Sequence, residues 1–341
     1  RRQDAARWHR LSPDSGVLAR GPARRPLRLA WEQVGLPPLL TSIGAEVHHS
    51  PHHTMPERAR MPVVVTIHDC TYFDHPEWHQ RSKALFFRRA IRVAAQRAAV
   101  LVCVSNATAD RLRANCDVRA PVMIAPHGVD HARFSPHEPE PGSDSNALDE
   151  LQQRVSLDFD RPVILYVGTL EPRKGLVTLV RAFDLAAERL TEPLLVLAGQ
   201  QGWGTAELDS AVGSLAHRAR VLRVGYVSDT ALPALLRRAA VVAYPALDEG
   251  FGLPALEAMA SGTPLVTTIG TPMAELAGDA GVLVPPGDVL ALRDALVQTV
   301  EERGTVAALE RRRIGLELAS RRTWDASAAV HVAAYRTAAD G

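Results

Sequence analysis

Glu249 and Glu257 stand eight positions apart in the stretch DEGFGLPALEAMASGTP, residues 248–264, with Gly250, Phe251, Gly252 and Pro254 between them. A carboxylate accepts two hydrogen bonds at once, which suits vicinal hydroxyls such as those of a ribose or a hexose. Between the acids, the N–H groups of a glycine turn and a helix start form a cradle for phosphate. Acid, amide cradle, acid is an order that fits a sugar joined to a nucleoside through a diphosphate. The plain alternative is a capped helix with two solvated acids, the ordinary case for a lone pair of glutamates. A cation source elsewhere in the chain weighs against it. VGTLEPRKG, residues 167–175, carries Arg173 and Lys174. Arginine forks two phosphate oxygens while lysine acts as a point charge, and together they can stabilise charge on a leaving diphosphate without metal.

These residues need strand ends to position them. Short apolar runs alternate with helical patterns along most of the chain, the signature of α/β architecture with parallel sheets. EVHHS, PVVVTIHD, VLVCVS and VMIAPH read as strands of a first half, with helices over 80–98 and 106–115. PVILYVG, PLLVLAG, VLRVGYV, VVAYPA, PLVTT and GVLVPP read as strands of a second half. Between the halves, FSPHEPEPGSDSNALDE (134–150) is rich in proline, acid and serine and reads as a linker or surface excursion. Two such units make an interdomain cleft at the carboxyl ends of their strands, where ligands of open α/β sheets sit. VVAYPA places ALDEGFG at a strand end, and Pro254 suits the first helical turn, so Glu257 is expected in that turn and Glu249 just ahead of it.

At 341 residues the chain exceeds one typical core and suggests two domains. Its net charge of +1 gives no global field for nucleic acid. Residues 1–28 nonetheless hold eight arginines against Asp4 and Asp14, without apolar periodicity. PLRLAWEQVGLPPLL follows as a helix, which suggests that the first strand of the domain is missing from the chain. Cys70, Cys103 and Cys116 lack metal-ligand spacing and favour reduced thiols in a cytoplasmic setting. No apolar run reaches the ~20 residues that span a bilayer.

Other constellations carry less. His48, His49, His52 and His53 invite a metal, yet no carboxylate or cysteine joins them at regular spacing. His68 and Asp69 could form a base and its orienter, but neighbours at a strand end point apart, so Asp69 is expected to cap the next segment. The D-x-D of Asp158 and Asp160 reads as solvated. QRSKALFFRRAIRVAAQRA is a basic amphipathic helix with Ala84, Phe87, Ile91 and Ala94 on one face. Its other face is either solvated or a peripheral contact with the inner face of a membrane.

EGFGLPALEAMASGTPLV resembles the E-x7-E segment of the retaining glycosyltransferases of family 4 (glycosyl transferases group 1), which have the GT-B fold. YVGTLEPRKG is similar to their diphosphate loop, with a mannosyltransferase-like flavour. TIHDCTYFDHPEW, VCVSNATADRL and IAPHGVDHARFSP resemble the first domain's landmarks in the same order. The resemblance implies two Rossmann-like parallel-sheet domains: an acceptor-side domain over 1–135, a linker over 136–160, a nucleotide-sugar domain over 161–322, and a helix over 323–341 that crosses back. It implies transfer of a hexose, mannose by guess, from a nucleotide diphosphate sugar, GDP-mannose by guess, to a hydroxyl of a glycan or lipid-linked acceptor, with no cofactor and no metal. Glu249 would touch the hydroxyls of the transferred sugar, Glu257 the ribose, and Arg173 and Lys174 the diphosphate, assisted by the amides of Phe251, Gly252 and Leu253 beside Gly250. His68 would face the reacting carbon. Gly168, Thr169, Gly199, Tyr226 and Val227 complete the implied substrate contacts. In this family the departing phosphate oxygen itself is taken to help accept the acceptor's proton. Thr169 stands where many members have arginine, and His127 where asparagine is common.

Three rivals stay open at this stage. A nucleotide-sugar epimerase or a phosphorylase would use the same architecture. A nicotinamide oxidoreductase is suggested by Gly250, Gly252 and Ala255, which spell G-x-G-x-x-A after a strand, although an acid early in the helix would repel a pyrophosphate. A non-catalytic sugar-nucleotide-binding protein is the third.

Overall fold

The computed structural model describes residues 21, 22, 24–155 and 157–341. Most of the arginine-rich opening, and with it the question of an earlier strand, lies outside the described residues. Helices α1 (Arg25–Val34) and α2 (Leu36–Ser42) break at Gly35, whose Cα lies against the Trp31 ring. The first sheet is wholly parallel, built from β1 (His48–Ser50) and β2 (Val63–Ile67), then β3 (Val100–Cys103) and β4 (Val122–Ile124), in that spatial order. Between β2 and β3 come the short α3 (Thr71–Asp74) and the long α4 (Arg81–Arg97); α5 (Asn106–Asn115) joins β3 to β4. Val63, Val64, Val65, Thr66 and Ile67 are all buried, as a strand covered on both faces requires. α4 buries Ala84, Phe87, Ile91 and Ala94, the face read from the sequence. On its other side Arg88 donates to the carbonyls of Tyr72 (2.6 Å) and Phe73, and Arg92 lies over the Phe73 ring.

The second sheet follows α6 (Ser143–Val155). It runs through β5 (Val163–Val167), α7 (Leu176–Ala186), β6 (Leu194–Ala198), α8 (Ala206–Gly213), β7 (Val221–Gly225), α9 (Ala231–Arg238) and β8 (Val241–Tyr244). It closes with α10 (Leu253–Ala260), β9 (Leu265–Thr268), α11 (Pro272–Ala277), β10 (Gly281–Val284), α12 (Val289–Glu301) and α13 (Val306–Ser320), before the terminal α14 (Trp324–Asp340). The six strands are parallel in the order β10-β9-β8-β5-β6-β7. That is the doubly wound order, in which the chain reverses direction across the sheet between β5 and β8. Loops leaving those two strands diverge to opposite sides and leave a crevice between them.

Contacts divide the chain into two compact units, each with its own apolar core. The first comprises the residues up to Cys103, Thr108–Ile124 and Val330–Gly341; the second comprises Val104–Ala107 and Ala125–Ala329. The chain thus passes to the second unit at 125 rather than 136, and only the latter half of α14 groups with the first unit. The expected linker is another difference. Residues 143–155 are helical, with Leu148 and Leu151 in the second core. The buried Asp144 carboxylate accepts from the Arg237 guanidinium of α9 at 2.8 Å. Acidic and proline-rich composition concealed the i, i+3, i+7 spacing of Leu148, Leu151 and Val155. All three cysteines are free thiols.

Candidate transfer site

The loop leaving β5 is fixed to its neighbours by backbone bonds. Gly168 N–H donates to the Ala198 carbonyl (2.9 Å), Leu170 N–H to the Gln200 carbonyl (2.9 Å) and Gly202 N–H back to the Leu170 carbonyl (3.0 Å). A 3-10 turn over Pro172–Lys174 then ends at Gly175. Here only glycine serves: φ is +67°, and a Cβ would stand 2.0 Å from the Pro245 carbonyl oxygen in the loop leaving β8. Leu247 N–H donates to the Arg173 carbonyl at 2.8 Å, so the two loops on either side of the reversal are bonded to each other.

That contact sets Arg173 and Lys174 against Glu249. The Arg173 guanidinium pairs with one Glu249 oxygen, Oε2, and with Glu171; the Lys174 ammonium pairs with the other, Oε1. Tyr244 Oη, at the end of β8, accepts from Lys174 Nζ (2.9 Å) and donates to Glu249 Oε1 (3.0 Å). Asp248 Oδ1 accepts the Glu249 N–H at 2.7 Å and aims the side chain. Lys174 and Glu171 are about 5% exposed or less. Two cations and two carboxylates therefore share one buried spot at the strand reversal. Burial would raise the Glu249 carboxyl, but the charges of Lys174 and Arg173 outweigh it and hold the group below the usual carboxylate range. Burial lowers the Lys174 ammonium, against the pull of Glu249.

The turn after Glu249 is equally constrained. Gly252, at φ +96°, precedes the first residue of α10, and a Cβ there would meet Met273 Cγ at 2.2 Å. Ser105 Oγ donates to the Gly250 carbonyl at 2.8 Å, and the His127 ring meets Phe251 edge-on at 5.1 Å. Among the described residues the N–H groups of Phe251, Gly252 and Leu253 find no acceptor, as the first donors of a helix do not. Pro254 occupies the first turn as expected, but Glu257 does not. The helix begins at Leu253, which moves Glu257 into the second turn, half-buried. Burial, with Asp229 adding and Arg133 opposing, pushes its carboxyl up to about 7.

The remaining expected contacts lie at neighbouring strand ends. Gly168 and Gly199 follow β5 and β6, but both N–H groups are bonded, Gly199 to the Gly225 carbonyl at 2.7 Å. They form floor, not donors. Thr169 is held by its carbonyl, which accepts from Tyr166 Oη at 3.0 Å. Tyr226 projects from the end of β7 at 60% exposure, with Val227 beside it half-buried.

His68 belongs to the first unit, at the end of β2, where its Nε2 bonds the Pro51 carbonyl at 2.8 Å. Asp69 accepts from Thr71 N–H and Oγ at the start of α3. Among the described residues no cluster of histidine, cysteine or carboxylate groups is arranged to hold a metal, the four early histidines and the D-x-D included. Tyr244, Glu171 and Asp248 were not singled out from sequence. Tyr244 reads there as one more apolar strand residue, and only its place as the last residue of a parallel strand marks it.

The sequence pattern of the family described as "Glycosyl transferases group 1" matches residues 149–314, and that of "Glycosyltransferase Family 4" matches residues 5–133. The chain belongs to these glycosyltransferases. It is 28% identical over 292 residues to the O-antigen chain mannosyltransferase B of Escherichia coli, covering 85% of this chain and 74% of that one. It is 37% identical over 222 residues to the D-inositol 3-phosphate glycosyltransferase of Xylanimonas cellulosilytica, covering 64% of this chain and only about half (51%) of the relative. The sucrose-phosphate synthase structure from Thermosynechococcus elongatus superposes with a TM-score of 0.75 at 21% identity, covering 95% of this chain and 81% of that one, which shows the shared fold. Both units are thus the parallel-sheet domains of a GT-B glycosyltransferase, and membership of the family sets the nicotinamide oxidoreductase reading aside.

Proposed function

We propose that the chain moves a hexose from a nucleotide diphosphate sugar to a hydroxyl of a glycan or lipid-linked acceptor, with retention at the anomeric carbon and without metal. The observation that carries this is the convergence of Arg173, Lys174 and Glu249 next to the open amides of α10. A diphosphate seated there meets two cations and the positive end of a helix, the charges a leaving nucleoside diphosphate needs. Glu249, between the cations, accepts the hexose hydroxyls, and Glu257 accepts those of the ribose. The departing phosphate oxygen takes the acceptor's proton as the new bond forms. Mannose and guanosine diphosphate are our choice of donor, the sugar supported by the mannosyltransferase relative. The test is a panel of GDP-, UDP- and ADP-hexoses with and without acceptor. Nucleoside diphosphate released only with acceptor, a product of retained configuration and full activity in EDTA bear the reading out. Release without acceptor, or interconversion of the donor sugars, overturns it in favour of a hydrolase or an epimerase.

No helix among the described residues is long and apolar enough to cross a membrane. We place the protein in the cytoplasm, with peripheral contact to an anionic bilayer at the start of α4, where Arg81, Leu85 and Phe86 are exposed. Flotation with phosphatidylglycerol vesicles reports on that contact. Loss of flotation in an L85S/F86S variant supports it; equal flotation contradicts it.

A further inference from the structure

Tyr244 occupies an unusual position for a residue at the end of a buried strand. It is almost fully enclosed, yet its neutral hydroxyl touches both Lys174 and Glu249. Its ring is held by a stack on Tyr166 of the adjacent β5, centroids 5.5 Å apart at 14°, and Lys174 Nζ lies 5.2 Å from its centroid. Its own carbonyl accepts from Thr267 Oγ1 of β9 at 2.9 Å. A ring fixed at this many points cannot follow the flexible side chains it bonds; they must follow it.

Resting on the proposed transfer reaction, we infer that Tyr244 is a positioning residue, whose hydroxyl sets the Lys174 ammonium and the Glu249 carboxylate at a fixed separation for the diphosphate and the hexose. The lysine has three donors and rotates freely about a long stem, so a pair with Glu249 alone leaves its direction open. The phenol fixes a second point. It does so by accepting from the cation and donating to the anion, which favours the charged form of both partners. The charged and titratable groups that face it are Tyr166 from β5, Arg173 and Lys174 from the loop that follows, and Glu249 from its own loop, while Thr267 of β9 bonds its carbonyl. Burial first, then the charge of Glu249, keeps the phenol itself protonated far above its ordinary range.

The test compares Tyr244→Phe with Tyr166→Phe, whose lost hydroxyl touches only the Thr169 carbonyl. Each is assayed for transfer from the donor that serves the wild type, from pH 5 to 10. In Y244F, kcat falls about ten- to hundred-fold while the donor KM changes little, the loss of one buried charge-assisted contact. Its pH profile narrows from both sides: without an acceptor the lysine loses its proton at lower pH, and without a donor the glutamate keeps its proton to higher pH. Y166F retains the width of the wild-type profile. Should phenylalanine at 244 fail to fold, methionine there gives the same narrowing. A Y244F profile as wide as the wild type, or equal narrowing in Y166F, overturns the inference and leaves the reaction standing. A wild type that transfers from none of the three nucleotide sugars overturns both.

Discussion

After β5 and β8 of the second unit, Arg173, Lys174, Glu171 and Glu249 share one buried spot as ion pairs. In β1 of the first unit and in the loops after β1 and β2 stand His49, His52, His53 and His68, and burial holds the His49 and His53 rings neutral. Burial first, helped by the neighbouring His331, His48 and His68, lowers His49 to about 4; burial lowers His53 to about 3, with Asp69 opposing and His52 and His68 adding. The rings pack as aromatics: His53 meets Phe87 and Tyr72 edge-on, and His49 bonds Tyr335 Oη at 2.9 Å. Strand ends of two parallel sheets have thus been given different chemistry. One set suits a doubly charged diphosphate. The other offers uncharged rings.

The sharpest way to break this contrast is to remove the shared carboxylate. Glu249→Ala should abolish transfer while nucleoside diphosphate binding stays nearly intact, because the two cations and the amides at the start of α10 remain. It should also lower stability by about 3 kcal/mol by leaving buried charges unpaired. Transfer at a normal rate would show that the loop has been misread. Lys174→Ala should act on the other side of the pair and weaken nucleoside diphosphate binding about ten- to hundred-fold by calorimetry.

Next in size is the pH dependence of Glu257. Burial pushes its carboxyl up to about 7, and only the ionised form accepts from two vicinal ribose hydroxyls with both oxygens. Nucleoside diphosphate affinity should therefore rise several-fold between pH 6 and 8, and Glu257→Gln should flatten that rise. An unchanged slope in the variant would remove the glutamate from the ribose contact.

The smallest effect is on stability, and here the units should diverge. Glu257 has its folded pKa raised from 4.5 to about 7, so it favours the fold at low pH and loses that contribution as pH rises through 7. His53 has its folded pKa lowered from 6.5 to about 3, so the unfolded chain takes a proton that the fold refuses, and stability falls as pH drops below 6.5. Between pH 6.5 and 4.5 hydrogen exchange should quicken in the first unit relative to the second, and His53→Phe should reduce the difference. Parallel behaviour of the two units would contradict the assignment of neutral rings to one and a protonating acid to the other.

What could be read from sequence follows the same division. The ten strands were visible as short, mostly apolar runs, because parallel strands covered on both faces are built chiefly from apolar residues, with Thr66, Thr267 and Thr268 as buried exceptions. The pairing of Arg173 and Lys174 with the acid loop was legible too, since each follows a strand and strand ends collect ligands. The position of Glu257 was not, because the helix start depends on the Gly252 backbone and its contact with Met273. Tyr244 and Glu171 were hidden for a related reason: their importance lies in which other loop they touch, and local pattern carries no trace of that. The helix over 143–155 was lost because the acidic and proline-rich run before it concealed the spacing of Leu148, Leu151 and Val155, and Asp144 finds its buried partner, Arg237, far along the chain.

The central claim is that Arg173, Lys174 and Glu249 form the seat of a nucleotide diphosphate sugar. A crystal structure with the nucleoside diphosphate that raises the melting temperature most tests it directly. The account predicts the terminal phosphate within hydrogen-bond distance of Lys174 Nζ, the Arg173 guanidinium and an amide among Phe251, Gly252 and Leu253. A nucleotide bound elsewhere, with those groups touching no phosphate, would contradict it.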